Sequence, residues 1–383
     1  QTVWNGRNPY RGLEAYEEAD AGYFFGRESL VATVIERVRV ANFITISGPS
    51  GSGKSSLAKA GVLHALRQGA IAGSDQWLLA AMQPKGDPLE QLARAIEHLT
   101  QTPDSGDYLR QNGRQNPQAL HKQVSTLLGG SDTRRFVLLV DQFEELFTQT
   151  KDPALRRDLI ALLTEAAQAA DGRCKIILSL RSDFVSHCAS YDTLRALISQ
   201  QFQLVGAMSP QDLAKAITLP ALEVGAKIDP ALVARIIADM KGSPEALPLM
   251  SFALRDLFAA EETAVGQPME LTLAKYIQRG GLDNALEQHA NKVFAAFSED
   301  QQQIAEAVFS KLIEVGQGRP DTRRTATLAE LIPADGDEAA IMAVVQTLSD
   351  KNVRLLTTNG IDEGMLPETA VAQQTTVTIA HEK

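Results

Sequence analysis

Apolar and polar positions along the chain fall into short apolar runs that alternate with helical spacings. Phe43 to Ser47 (FITIS) is an apolar, β-rich run ahead of a glycine-rich turn, the pattern of a buried strand. From Lys54 to Arg67 the apolar residues Leu57, Val62, Leu63 and Leu66 recur at helical spacing. Trp77 to Met82 is a second apolar run, and Pro88 to Leu99 a second helix. Phe136 to Val140 (FVLLV) is the most strand-like segment, followed by a strong helix over Pro153 to Ala170. Lys175 to Leu180 and Gln201 to Val205 read as further strands. Such alternation predicts an α/β fold of βαβ units, a parallel sheet with helices on both faces.

The pattern changes after Gly206. Ser209-Pro210 and Asp229-Pro230 are helix starts, and another helix is predicted over Glu245 to Phe258, so 206–280 reads as an all-helical subdomain. Beyond it, helices are predicted over 283–297, over 299–314, near Leu328 and over 337–350. Val353–Thr357 and Thr375–Ala380 are β-like. Helices followed by a two-stranded ribbon are in the order of a winged helix.

A length of 383 residues exceeds what one core holds and predicts two or three domains. The net charge of −10 disfavours non-specific binding to nucleic acid or to an anionic membrane. Cys174 and Cys188, the only cysteines, form no disulfide framework, which fits a reducing cytoplasm. No apolar run approaches the roughly 20 residues of a membrane span. The chain starts at Gln1 with no signal-like stretch and ends two residues after the strand-like Val377-Thr378-Ile379-Ala380-His381. Both ends read as cuts in a longer protein.

One segment carries specific chemistry. Gly48-Pro49-Ser50-Gly51-Ser52-Gly53-Lys54-Ser55 is a phosphate-binding loop, placed between a strand and a helix as that loop requires. Its glycines let backbone amides converge on phosphates, and the helix N-terminus adds partial positive charge. Gly48, Ser50, Gly51, Ser52, Gly53, Lys54, Ser55 and the adjoining Ser56 are the phosphate-binding candidates. Lys54 would bridge the terminal phosphates, and the Ser55 hydroxyl would ligate Mg²⁺. The nucleotide predicted is ATP or ADP.

A loop of this kind needs a carboxylate at the end of a neighbouring strand to hold the cation. Asp141, which ends the FVLLV run, supplies it. Glu144 and Glu145 follow, and two readings stand: either orients an attacking water as general base, or both start a solvated helix. Arg181, at the end of the Ile176–Leu180 run, either senses the terminal phosphate or forms a plain ion pair with Asp183.

With these motifs in order, the chain resembles the STAND-family ATPases, signal-transduction switches related to NACHT and apoptotic-ATPase proteins. It is most similar to the bacterial novel STAND group, which is often fused to WD40 repeats. The resemblance also rests on Asn8-Pro9-Tyr10-Arg11-Gly12-Leu13, Tyr23-Phe24-Phe25-Gly26-Arg27-Glu28, Leu180-Arg181-Ser182-Asp183-Phe184, Ala246-Leu247-Pro248-Leu249 and the closing Ile379-Ala380-His381-Glu382. It implies an N-terminal segment 1–27 beside the adenine, a nucleotide-binding core 28–205, a helical lid 206–280 and a winged helix 281–383 cut short at its end. Phe25 and Gly26 would line the base pocket; the alternative is that the three aromatics anchor the segment in the core. Pro248 would close over the nucleotide, or simply start a helix. His381 would reach the ADP phosphates and lock a closed form, or be structural. Gln142 departs from the adjacent acid pair of many relatives, and Glu144 and Glu145 match the NACHT spacing instead.

The resemblance implies a slow ATPase switch, closed with ADP and open, oligomerising with ATP, that controls a fused effector in prokaryotic signalling or defence. Its partners would be further copies of itself and effector and sensor domains outside this chain. The competing readings are a DNA-acting ATPase of the AAA+ type and, more weakly, a small-molecule kinase. Charge argues against the DNA-acting reading. Residues 283–383 hold 8 Lys and Arg against 16 Asp and Glu, and the recognition-helix candidate from Asp337 to Val345 has no basic residue. DNA readers need Arg or Lys for phosphates and base edges. The chain is therefore expected to show no retention on duplex DNA at about 150 mM salt; salt-dependent retention in a gel-shift assay would overturn this.

Overall fold

Five apolar runs become five parallel strands: β1 (Phe43–Gly48), β2 (Leu78–Met82), β3 (Phe136–Val140), β4 (Cys174–Arg181) and β5 (Phe202–Leu204). In this computed structural model, residues 3–240, 246–261, 263–314, 322–332, 337–349, 353, 355–359 and 376–379 are described. The strand order is β2-β3-β4-β1-β5. Every residue of β1 and β3 is buried, as both faces of a parallel sheet require.

Side chains leave each strand alternately to the two faces. Phe136, Leu138 and Val140 of β3 join Leu92, Ile96 and Leu163 on one side. Val137 and Leu139 join Val34, Val38, Leu57 and Leu63 on the other. The second layer is built by helix Glu28–Val40 and by the helix over 54–67, which follows the glycine-rich loop. Part of that second helix, Leu57–Leu63, is wound as a wider π-helix.

Helix starts follow the caps written in the sequence. Asp87, Asp152, Ser209 and Asp229 each accept first-turn backbone N–H groups, and each is followed by a proline. Each such cap contributes about 1 kcal/mol. At the opposite end of helix Glu28–Val40, the Lys175 ammonium donates to the carbonyls of Val38 and Ala41 and to Asn42 Oδ1. Its cation thus faces a helix C-terminus, where the dipole favours it.

The stretch after Gly206 is not all helical. Helices Pro210–Glu223, Pro230–Asp239, Leu247–Ala259 and Leu273–Gln278 are joined by a two-stranded parallel sheet, β6 (Ala226–Ile228) with β7 (Met269–Leu271). Each strand is a single apolar–polar–apolar triplet, too short to tell from chance in the sequence. The N-terminal segment runs over this subdomain. The Tyr10 ring is buried edge-on against Phe258, and its hydroxyl donates to the carbonyl of Ile217.

The chain divides into two units, residues 1–282 and 283–383. In the second, helices Glu299–Lys311, Leu328–Leu331 and Glu338–Ser349 surround Ala305, Val308, Val344 and Val345. An antiparallel sheet sets β12 (Thr376–Ile379) between β10 (Ala326–Thr327) and β11 (Leu356–Asn359). The strand expected from Val353 begins only at Leu356, and the helix expected to reach 314 ends at Lys311, before a short β8 (Ile313–Glu314) paired with β9 (Thr322–Arg323). Among the described residues no helix is long and apolar enough to cross a membrane.

Gly61 marks where the two helices of the second layer touch. A Cβ there would lie 2.6 Å from Val31 Cγ2 and 3.4 Å from Phe24 Cε1. Alanine gains about 1 kcal/mol in helix propensity, but overpacking costs about 1–3 kcal/mol, so Gly61→Ala is expected to lower stability in urea unfolding. Adding Val31→Ala is expected to recover part of that loss; a stabilised single variant would show that no such clash exists.

Candidate functional site

Parallel pairing brings distant motifs to one edge. Gly48 at the end of β1 lies opposite Arg181 at the end of β4, while Val140 of β3 pairs with Leu178 of β4 and leads directly into Asp141. Open α/β sheets take ligands in the crevice beyond such carboxyl ends.

The loop has the backbone that phosphate binding requires. Gly51 and Gly53 adopt φ of +72° and +85°, a conformation that side chains resist. The helix that starts at Lys54 leaves its first N–H groups without intrahelical partners, facing the loop. Lys54 Nζ donates to the carbonyls of Gly48 (3.0 Å) and Pro49 (2.8 Å). Burial lowers the proton affinity of this ammonium, and the nearby Glu144 charge opposes the effect. Ser50 is exposed, whereas Ser52 is buried with its hydroxyl unpartnered. The Ser56 hydroxyl accepts the Tyr16 N–H at 3.0 Å and so faces the N-terminal segment.

Ser55 and Asp141 meet. The Ser55 hydroxyl donates to Asp141 Oδ1 at 2.8 Å, and the Gln142 N–H donates to the same oxygen at 3.1 Å. Asp141 is 1% exposed, and its Oδ2 accepts no hydrogen bond. A hydroxyl beside a carboxylate with one oxygen that accepts no hydrogen bond is a hard-oxygen set that suits Mg²⁺. Among the described residues no group of three or more His, Cys, Asp and Glu could hold a metal alone. A cation at Ser55 and Asp141 would therefore need phosphate and water as its other ligands.

The chain then turns sharply. Gln142 takes a φ of +53°, and its side-chain carbonyl accepts from Gln83 Nε2 at 2.9 Å. The two acids that follow have different surroundings. Glu144 Oε2 accepts the Arg181 N–H at 3.1 Å, and the Lys54 charge acts on it. Glu145 lies near Lys85 and bonds to Gln149. Burial raises both carboxyls, Glu145 to about 7, with the charges of Glu144 and Asp141 adding to the effect on Glu145. Arg181 forms the forked pair with Asp183, at 3.1 and 2.7 Å. It stands at the strand end beside the loop, where the sensor reading also puts it.

The aromatic stretch divides. Phe24 enters the core of the second layer and lies tilted against Tyr16, whereas Phe25 is half-buried. Gly26 takes a φ of +83°, and a Cβ there would collide with the carbonyl oxygen of Asp212. It thus lets the segment touch the start of helix Pro210–Glu223. Next to it, Arg27 donates at 3.1 Å to the carbonyls of both Ser52 and Gly206. Pro248 stands in the first turn of helix Leu247–Ala259. His381 lies outside the described residues.

The family model for Novel STAND NTPase 1 matches residues 9–383. The chain belongs to that family. As a STAND NTPase it is a P-loop NTPase, and nucleotide binding belongs to the fold. Its structure is similar to the ORC1 protein of Aeropyrum pernix, solved in complex with DNA, with a TM-score of 0.50 and 14% identity over 94% of this chain and 90% of that one. Also similar are the ORC2 protein of Aeropyrum pernix in ADPNP–ADP complexes (TM-score 0.48, 15% identity, 99% and 94% covered) and Cdc6p from Pyrobaculum aerophilum (0.46, 12%, 93% and 90%). At such identities the first of these shows the fold alone. No curated protein matches the chain.

Three residues around the loop have no signature in sequence: Arg27, Lys59, whose ammonium lies 3.6 Å from Asp141 Oδ2, and Glu17, which accepts from Lys59 at 2.8 Å. Arg27 sits in the Phe-Gly-Arg-Glu stretch but carries no pattern for its two carbonyl bonds. Lys59 looks like a solvated helix lysine, and Glu17 looks like any surface acid. Spacing within the chain points to neither.

Glu145 offers a pH test. Its carboxyl keeps a proton to about 7 in the fold, against 4.5 ordinarily. Between those values the folded state binds more protons, so the stability this group contributes below the window is lost as pH rises through it. Glu145→Gln should remove that loss. Thermal unfolding is expected to show the variant gaining on the wild type from about pH 5 to about pH 8; a constant difference would refute the assignment.

Proposed function

We propose that this STAND NTPase is an ATP-binding and hydrolysing switch, with Mg²⁺ held by Ser55 and Asp141. The observation that carries the reading is Arg27, which bonds at once to the phosphate loop at Ser52 and to Gly206, where the helical subdomain begins. A change in the loop on nucleotide exchange would strain or release that clip, and so bias the subdomain. A ligand shifts such an equilibrium only by binding the two states differently, and a loop contact that differs between diphosphate and triphosphate supplies the difference.

Loop amides and the helix N-terminus bind the phosphates, and Lys54 turns from its two carbonyls to the terminal phosphate. When bound, Mg²⁺ supplies charge neutralisation and polarises the transferring phosphoryl group. Glu144 is assigned as the base that takes a proton from water, because it lies on the Lys54 side and burial raises its proton affinity. Glu145, turned toward Lys85, is assigned a supporting role. Arg181 leaves Asp183 to sense the terminal phosphate. Residues 283–383 are read as a winged helix that regulates closure, since their 16 acids against 8 bases count against a DNA-binding role. The controlled effector, self-association on activation and a setting in prokaryotic defence rest on the family resemblance.

Extraction of nucleotide from the purified chain is expected to yield ADP. Glu144→Gln should lower turnover by about 100-fold or more while nucleotide binding persists, and it should prolong any ATP-dependent assembly seen by light scattering. Fast hydrolysis by a chain that stays monomeric with either nucleotide would overturn the switch.

A further inference from the structure

Asp141 is an incompletely compensated charge. Its side chain is 2% exposed, Oδ1 accepts two hydrogen bonds, and Oδ2 accepts none. A buried carboxylate needs a counter-charge. The ion pair that Oδ2 makes is with Lys59 Nζ, at 3.6 Å. Lys59 is itself only 18% exposed, and its ammonium also donates to Glu17 Oε1 at 2.8 Å. A lysine on a purely solvated helix face would extend into water; this one is drawn inward between two carboxylates.

Glu17 is held where it can do this. Its own N–H donates to Asp20 Oδ2 at 2.9 Å. Its neighbours grip the same helix, through the Tyr16 N–H to the Ser56 hydroxyl and the Glu18 carboxylate to Arg67. Three consecutive residues of the N-terminal segment thus clamp three residues of the helix that carries Lys54 and Ser55. Lys59 lies in the π-wound stretch of that helix. Such windings are frequent at functional sites.

We propose that Lys59 is a positioning residue of the metal site and that Glu17 holds it there, so that the N-terminal segment fixes the carboxylate of Asp141. The inference rests on the reading of Ser55 and Asp141 as the cation's protein ligands. Residues that orient a metal ligand typically contribute 10–100-fold to metal affinity. Lys59 does so through charge: its ammonium holds Oδ2 in place while Oδ1 stays hydrogen-bonded to Ser55.

The test is a Mg²⁺ titration of the binding of a non-hydrolysable ATP analogue by calorimetry, which reads the site without turnover. Lys59→Met is expected to raise the Mg²⁺ midpoint about tenfold, and Lys59→Arg to restore most of it. Glu17→Gln, on a half-exposed side chain, should shift the midpoint in the same direction by less and keeps the test open if Lys59→Met does not fold. An unchanged or lower midpoint in Glu17→Gln and in whichever Lys59 variant folds, alongside a raised one in Asp141→Asn, overturns the role of Lys59. An unchanged midpoint in Asp141→Asn overturns the metal-site reading itself, and the inference with it.

Discussion

Asp141 ends a strand whose five residues are wholly buried, and the carboxylate is almost as buried as the strand. Bare, a charge there would cost several kcal/mol. The surroundings are arranged around that cost. The Ser55 hydroxyl, the Gln142 N–H and the Lys59 ammonium all converge on the carboxylate. The turn at Gln142, the helix over 54–67 and the N-terminal segment thus converge on one ion at one strand end.

The same ion ties layers together. Through Lys59 it reaches Glu17, and from Glu17 the chain continues to Gly26 and Arg27, which meet the start of the helical subdomain. The other direction leads back to Tyr10, buried against Phe258. A segment with little regular structure of its own thus touches the phosphate loop, the loop's helix and the subdomain beyond. Its order comes from side-chain bonds at fixed places, so single substitutions along it act at a distance.

What the sequence made legible follows from how local each signal is. Gly51 and Gly53 could be read because the phosphate loop needs a left-handed backbone there, which glycine adopts without strain. Asp141 could be read because an acid ending a run of five apolar residues is costly to bury unless it has a cation to face. Ser209 and Asp229 announced their helices through the proline that follows each. The meeting of Ser55 with Asp141 could not be read, since it depends on strands paired in space across 86 positions. Lys59 and Glu17 were silent because nothing near them in the chain distinguishes an inward lysine from a solvated one. Strands β6 and β7 were missed because one apolar–polar–apolar triplet, unlike the longer run around β5, does not stand out from chance. Both readings of Arg181 survive, because the Asp183 pair and the sensor place it at the same strand end.

The strand order has a consequence for how the protein is made. β1 is hydrogen-bonded to β4 and β5 and to neither β2 nor β3. The strand that carries the phosphate loop is therefore the first of the five to be synthesised, yet it gains neighbours only when the last two have followed. At about 5–20 residues per second, the loop waits many seconds for residues 174–204, which include both pairing partners and Arg181. Closing so long a loop is slow compared with local helix formation. A nascent chain with its glycine-rich turn already exposed thus lacks the walls of a binding site until most of the core has been synthesised.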